Sequence, residues 1–205
     1  SGNLGLHSPA MARAAGVLVE CEDFAAISDA VPLMAKVYPN GLADVNHFHA
    51  AGGIGFLIGE LLSAGLLHPD TKTIAGDGLA RYAQEPKLKG GALVWEEGAG
   101  VTLNDRILRP AHDPFSTQGG LKELTGNLGR GVMKVSAVAP ERHVIEAPAR
   151  IFHDQQAVKD AFKRNEFTTD CVVVVRFQGP RANGMPELHS LTPTLSVLQD
   201  RGLKV

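Results

Sequence analysis

The feature that most constrains the fold is the segment CVVVVRF at residues 171–177, which begins with an unbroken apolar run, CVVVV. Four consecutive valines favour extended backbone because a β-branched side chain is restricted at its first torsion angle. A run without polar alternation is typical of a strand that is buried on both faces. The run therefore predicts a buried strand within a mixed β/α portion of the chain.

The loop that follows this strand combines a restricted backbone with one acidic side chain. Between residues 178 and 190 it holds two prolines, two glycines and a single carboxylate, Glu187. Ligand-binding and catalytic groups often lie on loops beyond the carboxyl ends of buried strands. A carboxylate held in such a loop suits a hard cation. The alternative is a surface acid in a structured turn.

Periodicity and capping residues predict the helices and further strands. Apolar residues recur at i, i+3, i+4, i+7 and i+8 over Ile54–Ser63, which predicts a core-facing helix that ends at Gly65. Asp154 is the predicted N-cap of a helix in QQAVKDAFKRN, and Thr192 is the predicted N-cap of the last helix. The segments GVMKVSAV and PARIF have the pattern of strands.

The residue pattern and composition change twice along the chain. Residues 1–70 are mostly helical in pattern, and residues 71–101 form a connector rich in glycine and charge. Residues 102–205 alternate between strand and helix patterns. The expected fold class is therefore α/β, with a mostly helical first part, a connector and a mixed second part.

Composition excludes several classes of function. The 205 residues carry a net charge of −2, so there is no basic surface for nucleic acid. The apolar stretch Ile54–Leu67 is too short to cross a bilayer and contains Glu60. Cys21 and Cys171 are the only cysteines, which predicts a reducing, cytoplasmic location rather than a disulfide framework. Two thiols cannot hold an ordinary four-cysteine iron–sulfur cluster.

Two short motifs have both a structural and a functional interpretation. In NHFH, His47 and His49 would share a face on a strand and suit zinc, but the motif lacks a third ligand. A loop or helix-start role is favoured, with a metal or substrate contact as alternatives. FSTQGGL, which contains Ser116, Gly119 and Gly120, is either a plain turn or an anion-binding backbone nest before a helix.

Two arginines are further candidates for substrate contact. Arg176 and Arg181 flank the start of the loop that follows the valine run. A guanidinium group suits phosphate geometry, although surface or structural pairing is the alternative for each. The candidate substrate-binding residues are thus Ser116, Gly119, Gly120, Arg176 and Arg181.

Long stretches of the sequence resemble one enzyme family. These include PNGLADVNHFHAAGGIGFLIGELLSAGLLH, YAQEP, ILRP, GGLKELTGNLGRGVMKVSAVAPERHVIEAPARIF, DQQAVKDAFK and RFQGPRANGMPELHSLTP. In the same order along the chain, they resemble the dihydroxy-acid/phosphogluconate dehydratase family. The motif RFQGPR-NGMPELH is similar to that of its phosphogluconate branch. The resemblance implies the end of an N-terminal α/β domain followed by an incomplete C-terminal swivelling β/α barrel-like domain.

The resemblance also implies a reaction and cofactors. Members dehydrate a sugar acid, here 6-phosphogluconate to 2-keto-3-deoxy-6-phosphogluconate in the Entner–Doudoroff pathway. They use a 4Fe–4S cluster as Lewis acid, and Mg²⁺ holds the substrate carboxylate. Glu187 matches the glutamate that is one Mg²⁺ ligand in the motif GMPE. The cluster ligands and the serine base have no counterparts here, so no catalytic residue is assigned within these 205 residues.

These expectations combine into one hypothesis with two alternatives. We expect an internal part of a longer hydro-lyase that is homodimeric and binds a small sugar acid phosphate, with no nucleic-acid or membrane partner. We expect the 205-residue chain alone to be inactive. The alternatives are another sugar-acid or dihydroxy-acid dehydratase of the same family, or a non-catalytic binding or interaction domain.

Overall fold

The computed structural model describes residues 2–179 and 188–205, which form helices and small sheets. The α-helices are α1 (Gly2–Ala14), α2 (Cys21–Ala30), α3 (Val45–Ala50), α4 (Gly53–Ser63), α5 (Gln155–Lys163) and α6 (Thr192–Asp200). The strands are β1 (Lys72–Thr73), β2 (Gly76–Asp77), β3 (Glu85–Lys89), β4 (Ala92–Glu96), β5 (Leu121–Gly126), β6 (Gly129–Lys134), β7 (Ala149–Phe152) and β8 (Val172–Val175). The predicted mixture of helices and strands is confirmed.

The chain divides into two compact units, which are described separately. One unit is continuous and spans Cys21–Val138, and the other joins the residues before Cys21 to those after Val138. The predicted division of the chain refers to domains of the family, whereas these two units are defined by their compactness. The division into residues 1–70, 71–101 and 102–205 therefore stays a prediction. Within the described residues, no helix has the length and apolar character needed to cross a membrane.

Three short segments of the continuous unit pair with one another, and we call them the central ladder: residues 33–36, 107–109 and 115–116. Leu33 exchanges backbone hydrogen bonds with Phe115 and Ser116, each 2.9 Å long. The N–H of Arg109 donates to the carbonyl of Met34, and the N–H of Lys36 donates to that of Ile107, both at 2.8 Å. The ladder thus joins residues 33–36 to two segments that lie more than 70 positions later in the sequence.

Helix α4 packs beside this ladder. Its Phe56 forms a buried cluster with Ala51 and with Leu108, whose exposure is 0%. The helix predicted over Ile54–Ser63 is confirmed, and Gly65, at φ +70°, ends it because that backbone conformation favours glycine. Ile54 was expected on the core-facing stripe, but it is 57% exposed, because it lies in the first turn beyond the cluster.

Antiparallel hairpins complete the continuous unit. Residues 71–101, predicted as a connector, contain the pairs β1–β2 and β3–β4. The pair β5–β6 has Leu121 opposite Lys134 and closes between Gly126 and Gly129. The strand predicted in GVMKVSAV therefore ends at Lys134, and a 3₁₀ turn, Val135–Ala137, follows it.

The second unit contains a β–α–β connection. Strands β7 and β8 are parallel, with Ala149 opposite Val172 and Phe152 opposite Val175, and α5 connects them. Asp154 caps α5 as predicted, since its carboxylate accepts from the Ala157 N–H at 2.7 Å. Helices α5 and α6 contribute to the core of this unit. The buried core residues are Val158, Ala161, Phe167, Cys171, Leu191 and Leu198.

Two expectations for this unit are wrong in detail. The valine run is a strand, but Val172 is 38% exposed because β8 pairs with β7 alone among the described residues. Thr192 is the first helical residue of α6 and not its N-cap, because the 3₁₀ turn His189–Leu191 runs directly into the helix. Leu191 takes the cap position without a side-chain hydrogen bond.

Candidate functional site

The carboxyl edge of β7 and β8 is the first candidate region. Arg176 is exposed there, and its guanidinium carbon lies 4.5 Å from the centre of the Phe177 ring. Phe177 has φ +59°, which is unusual for a side chain of its size, and its ring meets His153 edge-on at 5.3 Å. Arg181 and Glu187 lie outside the described residues.

The same short turn after β7 contacts the chain on both sides of residues 180–187. Before that segment, Gln178 Nε2 donates to the carbonyl of His153 at 3.4 Å, and Phe177 contacts the His153 ring. After it, the Ser190 hydroxyl donates to Gln155 Oε1. Residues 153–155 therefore fix both flanks at the strand ends, where ligand sites of parallel sheets form.

The predicted substrate loop FSTQGGL lies in the continuous unit and is tightly packed. It leads into strand β5 rather than into a helix, so the alternative of a nest that precedes a helix does not match the structure. Gly119 N–H donates to the Ser28 carbonyl, and Leu121 N–H donates to Ser28 Oγ at 3.0 Å. The N–H groups of Gly119 and Leu121 already donate to Ser28, so these two donors are not available to an anion.

The two glycines of this loop are required for packing against protein atoms. A Cβ on Gly119 would lie 2.7 Å from Ser28 Oγ, and a Cβ on Gly120 would lie 2.1 Å from Ser136 Oγ. Substrate contact by Ser116, Gly119 and Gly120 stays a prediction. Ser28, only 7% exposed, was not identified from the sequence, because a single serine inside a helix has no distinguishing local pattern.

A cleft of about 550 Å³ lies beside this loop. Its polar lining comes from Glu60, Ser63, His112 and Thr117. Glu60 Oε2 accepts from the Ala111 N–H at 2.9 Å, so this carboxylate ties α4 to the segment before the loop. The cleft has the size of a small-molecule site, and sequence reasoning did not single out its lining residues.

The NHFH motif has the helix-start role that was favoured. Asp44 Oδ1 accepts from the His47 N–H at 2.9 Å, and the Asp44 N–H donates to His47 Nδ1 at 3.3 Å, which forms a capping box for α3. The hydrogen bond from the His47 N–H holds the pKa of Asp44 below its ordinary value. His49 Nε2 lies 3.9 Å from Glu85 Oε1 and lines a separate, partly aromatic pocket of about 640 Å³.

The described residues do not fit a metal cluster. No group of three His, Cys, Asp or Glu side chains in residues 2–179 and 188–205 is placed to hold a metal ion. Cys171 is 2% exposed in the apolar core, and this burial raises the pKa of its thiol. Cys21 begins α2 in the other compact unit. Neither cysteine is placed as an iron–sulfur ligand.

Ion pairs on the continuous unit fix its hairpins. Arg130 contacts Glu22 of α2 and Glu123 of β5, and Arg130 Nε lies 2.6 Å from Glu123 Oε1. The hydrogen bond from Arg130 lowers the pKa of Glu22. Similarly, the hydrogen bond from Lys87, 2.6 Å away, lowers the pKa of Glu85. The two carboxylates with lowered pKa values, Glu22 and Glu85, each have a structural partner and are not arranged as an acid–base pair.

Two models of one protein family match the chain. The model described as dihydroxy-acid/6-phosphogluconate dehydratase N-terminal matches residues 1–82, and its C-terminal counterpart matches residues 106–205. The sequence is 60% identical over 205 residues to a protein named Phosphogluconate dehydratase from Pseudomonas aeruginosa. It is 56% identical to the protein of that name from Escherichia coli. Both matches cover 100% of this chain and 34% of the relative.

A differently named relative is more distant. A protein named Dihydroxy-acid dehydratase from Caldanaerobacter subterraneus is 35% identical over 199 residues, covering 96% of this chain and 33% of the relative. The chain therefore spans about a third of the length of the curated relatives described here. The N- and C-terminal models match in order along the sequence, and these relatives cover nearly all of it. The chain belongs to the dihydroxy-acid/6-phosphogluconate dehydratase family.

Proposed function

We propose that this chain is part of a hydro-lyase that dehydrates 6-phosphogluconate to 2-keto-3-deoxy-6-phosphogluconate, a step of the Entner–Doudoroff pathway. The observation that carries the proposal is the 60% identity, over all 205 residues, to a relative named Phosphogluconate dehydratase. The 35% identity to a dihydroxy-acid dehydratase makes that substrate class the weaker candidate. The activity belongs to the full-length protein.

Substrate contacts are proposed at both candidate regions. Ser116, Gly119 and Gly120 lie on one loop, and Arg176 is exposed at the carboxyl edge of β8. Arg181, close to Arg176 in sequence, is the fifth proposed contact. The guanidinium groups suit the substrate phosphate because they donate paired hydrogen bonds and remain charged at neutral pH.

The proposed cofactors are Mg²⁺ and a 4Fe–4S cluster. Glu187 is the proposed Mg²⁺ ligand, since a carboxylate is a ligand that this hard cation prefers. Cys21 and Cys171 do not fit a cluster, so its ligands are proposed to lie outside these 205 residues. When bound, the cluster supplies Lewis acidity toward the leaving hydroxyl group. The residues of this chain contribute to binding and orienting the substrate.

The wider organisation of the enzyme is also part of the proposal. It comprises the end of an N-terminal α/β domain, a swivelling C-terminal β/α barrel-like domain, a homodimeric state and a cytoplasmic location. The two successive family models support the division into domains. Sedimentation of the purified full-length protein tests the dimer.

Substrate competition tests the reaction. We expect the full-length protein, assayed with its cofactors, to form a 2-keto acid from 6-phosphogluconate. It should turn over gluconate and a branched 2,3-dihydroxy acid at least about tenfold less efficiently, which corresponds to about 1.4 kcal/mol. Preference for either non-phosphorylated acid would contradict the proposal and assign another substrate within the family.

A further inference from the structure

Two positively charged side chains meet at one aromatic ring in the continuous unit. Lys36 Nζ lies 4.7 Å from the centre of the Phe115 ring, and the guanidinium carbon of Arg109 lies 4.6 Å from the same centre. Among the described residues, Phe115 is the only aromatic ring with two cationic neighbours. We call Lys36, Arg109 and Phe115 the Phe115 site.

The backbone places these three residues together. Each belongs to a different segment of the central ladder, in which Arg109 pairs with Met34 and Lys36 pairs with Ile107. Phe115 N–H donates to the Leu33 carbonyl at 2.9 Å. Because the ladder contains Leu108, whose side chain is fully buried, the three side chains start from fixed backbone positions before any ligand arrives.

The two cations of the Phe115 site have no ion-pair partner among the residues that the structure describes. Arg109 Nε donates to the backbone carbonyl of Asp105 at 3.0 Å. By contrast, Arg150 lies over Phe152 and is paired with Glu166 at 3.1 Å. Two like charges held at one ring repel each other, and an anion would relieve that repulsion.

We propose that the Phe115 site binds a phosphate monoester. A phosphate carries roughly −1.5 to −2 charges at neutral pH, which matches two cations better than a single carboxylate does. Arg109 supplies the planar fork that suits phosphate oxygens, and Lys36 supplies a point charge. The neighbouring Ser116 Oγ accepts from the Gln118 N–H at 3.2 Å, so its hydroxyl proton can still donate.

Combined with the proposed function, on which this last step rests, the site would hold the phosphate end of the sugar acid. Specificity for a phosphorylated acid over its non-phosphorylated counterpart would originate at Lys36 and Arg109.

Phosphate binding by the full-length protein tests the site without relying on turnover. Isothermal titration with inorganic phosphate is compared among the unmodified protein, Lys36→Met and Arg109→Met, in which an apolar stem still covers the ring. We expect each variant to bind phosphate about tenfold more weakly, as for loss of one charge-assisted contact. Lys36→Arg keeps the charge and should keep the affinity. Melting curves confirm that each variant is folded.

Arg106→Met is the matched control, because Arg106 is exposed, close to Arg109 in sequence and without an ion pair among the described residues. It should bind phosphate like the unmodified protein. Equal losses in Arg106→Met and Arg109→Met, or no phosphate binding by the unmodified protein, would overturn the inference. So would a loss in Arg176→Met with none in Arg109→Met, which would place the phosphate at the β8 edge.

Kinetics then separate this inference from the proposed function. With 6-phosphogluconate, Arg109→Met should raise KM about tenfold and change kcat less than about twofold, as expected for lost ground-state binding. An unchanged KM would overturn the assignment to the substrate phosphate. A protein that binds phosphate through Arg109 but does not dehydrate 6-phosphogluconate would retain the site and contradict only the proposed function.

Discussion

Gly119 and Gly120 illustrate how a single residue type can be assigned to two different roles. Glycine permits close approach of a ligand or of another part of the protein, and both possibilities have the same sequence signature. Here the close neighbours are protein atoms, Ser28 for Gly119 and Ser136 for Gly120. The absence of a side chain at these positions is therefore needed for packing, whatever else the loop contacts.

Replacing Gly120 should destabilise the protein through this contact. In Gly120→Ala the new Cβ would lie 2.8 Å from Ser136 Cβ, which forces a backbone shift. Overpacking of this kind costs about 1–3 kcal/mol, so we expect a lower Tm in thermal denaturation. Gly131→Ala is the matched control, because its Cβ would meet nothing within 4 Å. Equal Tm values for the two variants would contradict the packing role.

Glu187 is the residue through which the proposed Mg²⁺ site can be tested. In the full-length enzyme, Glu187→Gln keeps the size of the side chain and removes its negative charge. We expect activity to fall and the Mg²⁺ concentration needed for half-maximal activity to rise by about tenfold or more, since a charged ligand is lost. Direct titration with Mn²⁺ followed by electron paramagnetic resonance provides a second measurement. An unchanged Mg²⁺ titration would refute the assignment.

At the level of secondary-structure elements, Arg130 joins helix α2 to the hairpin β5–β6. Its guanidinium contacts Glu22 on the helix and Glu123 on the hairpin. Exposed pairs contribute little because water and salt screen them, yet a network of three charges with one half-buried carboxylate is more favourable than an isolated pair. The hairpin also carries Leu121, which Ser28 of the same helix anchors.

The pH dependence of this network has a definite sign. The pKa of Glu22 is lowered in the folded protein, so its stabilising effect is present above the ordinary value of 4.5 and is lost as the pH falls through the lowered value. We expect Arg130→Met to lower the Tm at neutral pH and to have a smaller effect in acid. Arg106→Met, without such partners, should show no comparable trend. A loss of Tm that is independent of pH would contradict the electrostatic explanation.

Elements with local signals were predictable from the sequence, and elements formed by distant pairing were not. The Asp154 cap, the Gly65 stop and helix α4 each depend on residues a few positions apart, which leave a pattern in the sequence. The central ladder joins segments of two to four residues across more than 70 positions, too short to show periodicity. The burial of β8 was overestimated, because a valine run specifies extended backbone but not the number of neighbouring strands.

For the chain as a whole, the candidate substrate contacts are divided between the two compact units. Ser116, Gly119 and Gly120 belong to the continuous unit and Arg176 to the other, and each unit is internally packed. The resemblance to the family was visible in the sequence because long stretches match in order. The roles of Ser28, Ser136 and the Phe115 site were not visible, because they depend on three-dimensional neighbours.

Activity of the isolated chain tests the proposal that the cluster ligands lie outside these 205 residues. Cys171 is buried in the core, and no group of three His, Cys, Asp or Glu side chains in the described part of the chain is placed to hold a metal ion. We expect the purified 205-residue chain to produce no 2-keto acid from 6-phosphogluconate under conditions in which the full-length protein is active. A folded sample, shown by circular dichroism, is the necessary control. Turnover by the isolated chain would contradict the proposal.

The discontinuous unit has a consequence for the order of events during synthesis. Because the ribosome releases the chain from its N-terminus, Cys21–Val138 emerges completely before most of the other unit has been made. The central ladder can close at that stage, since residues 33–36 and 115–116 are both available. The core around Val158 and Leu198 must wait for α6. The enclosed unit can thus finish folding first, while α1 remains without its later partners.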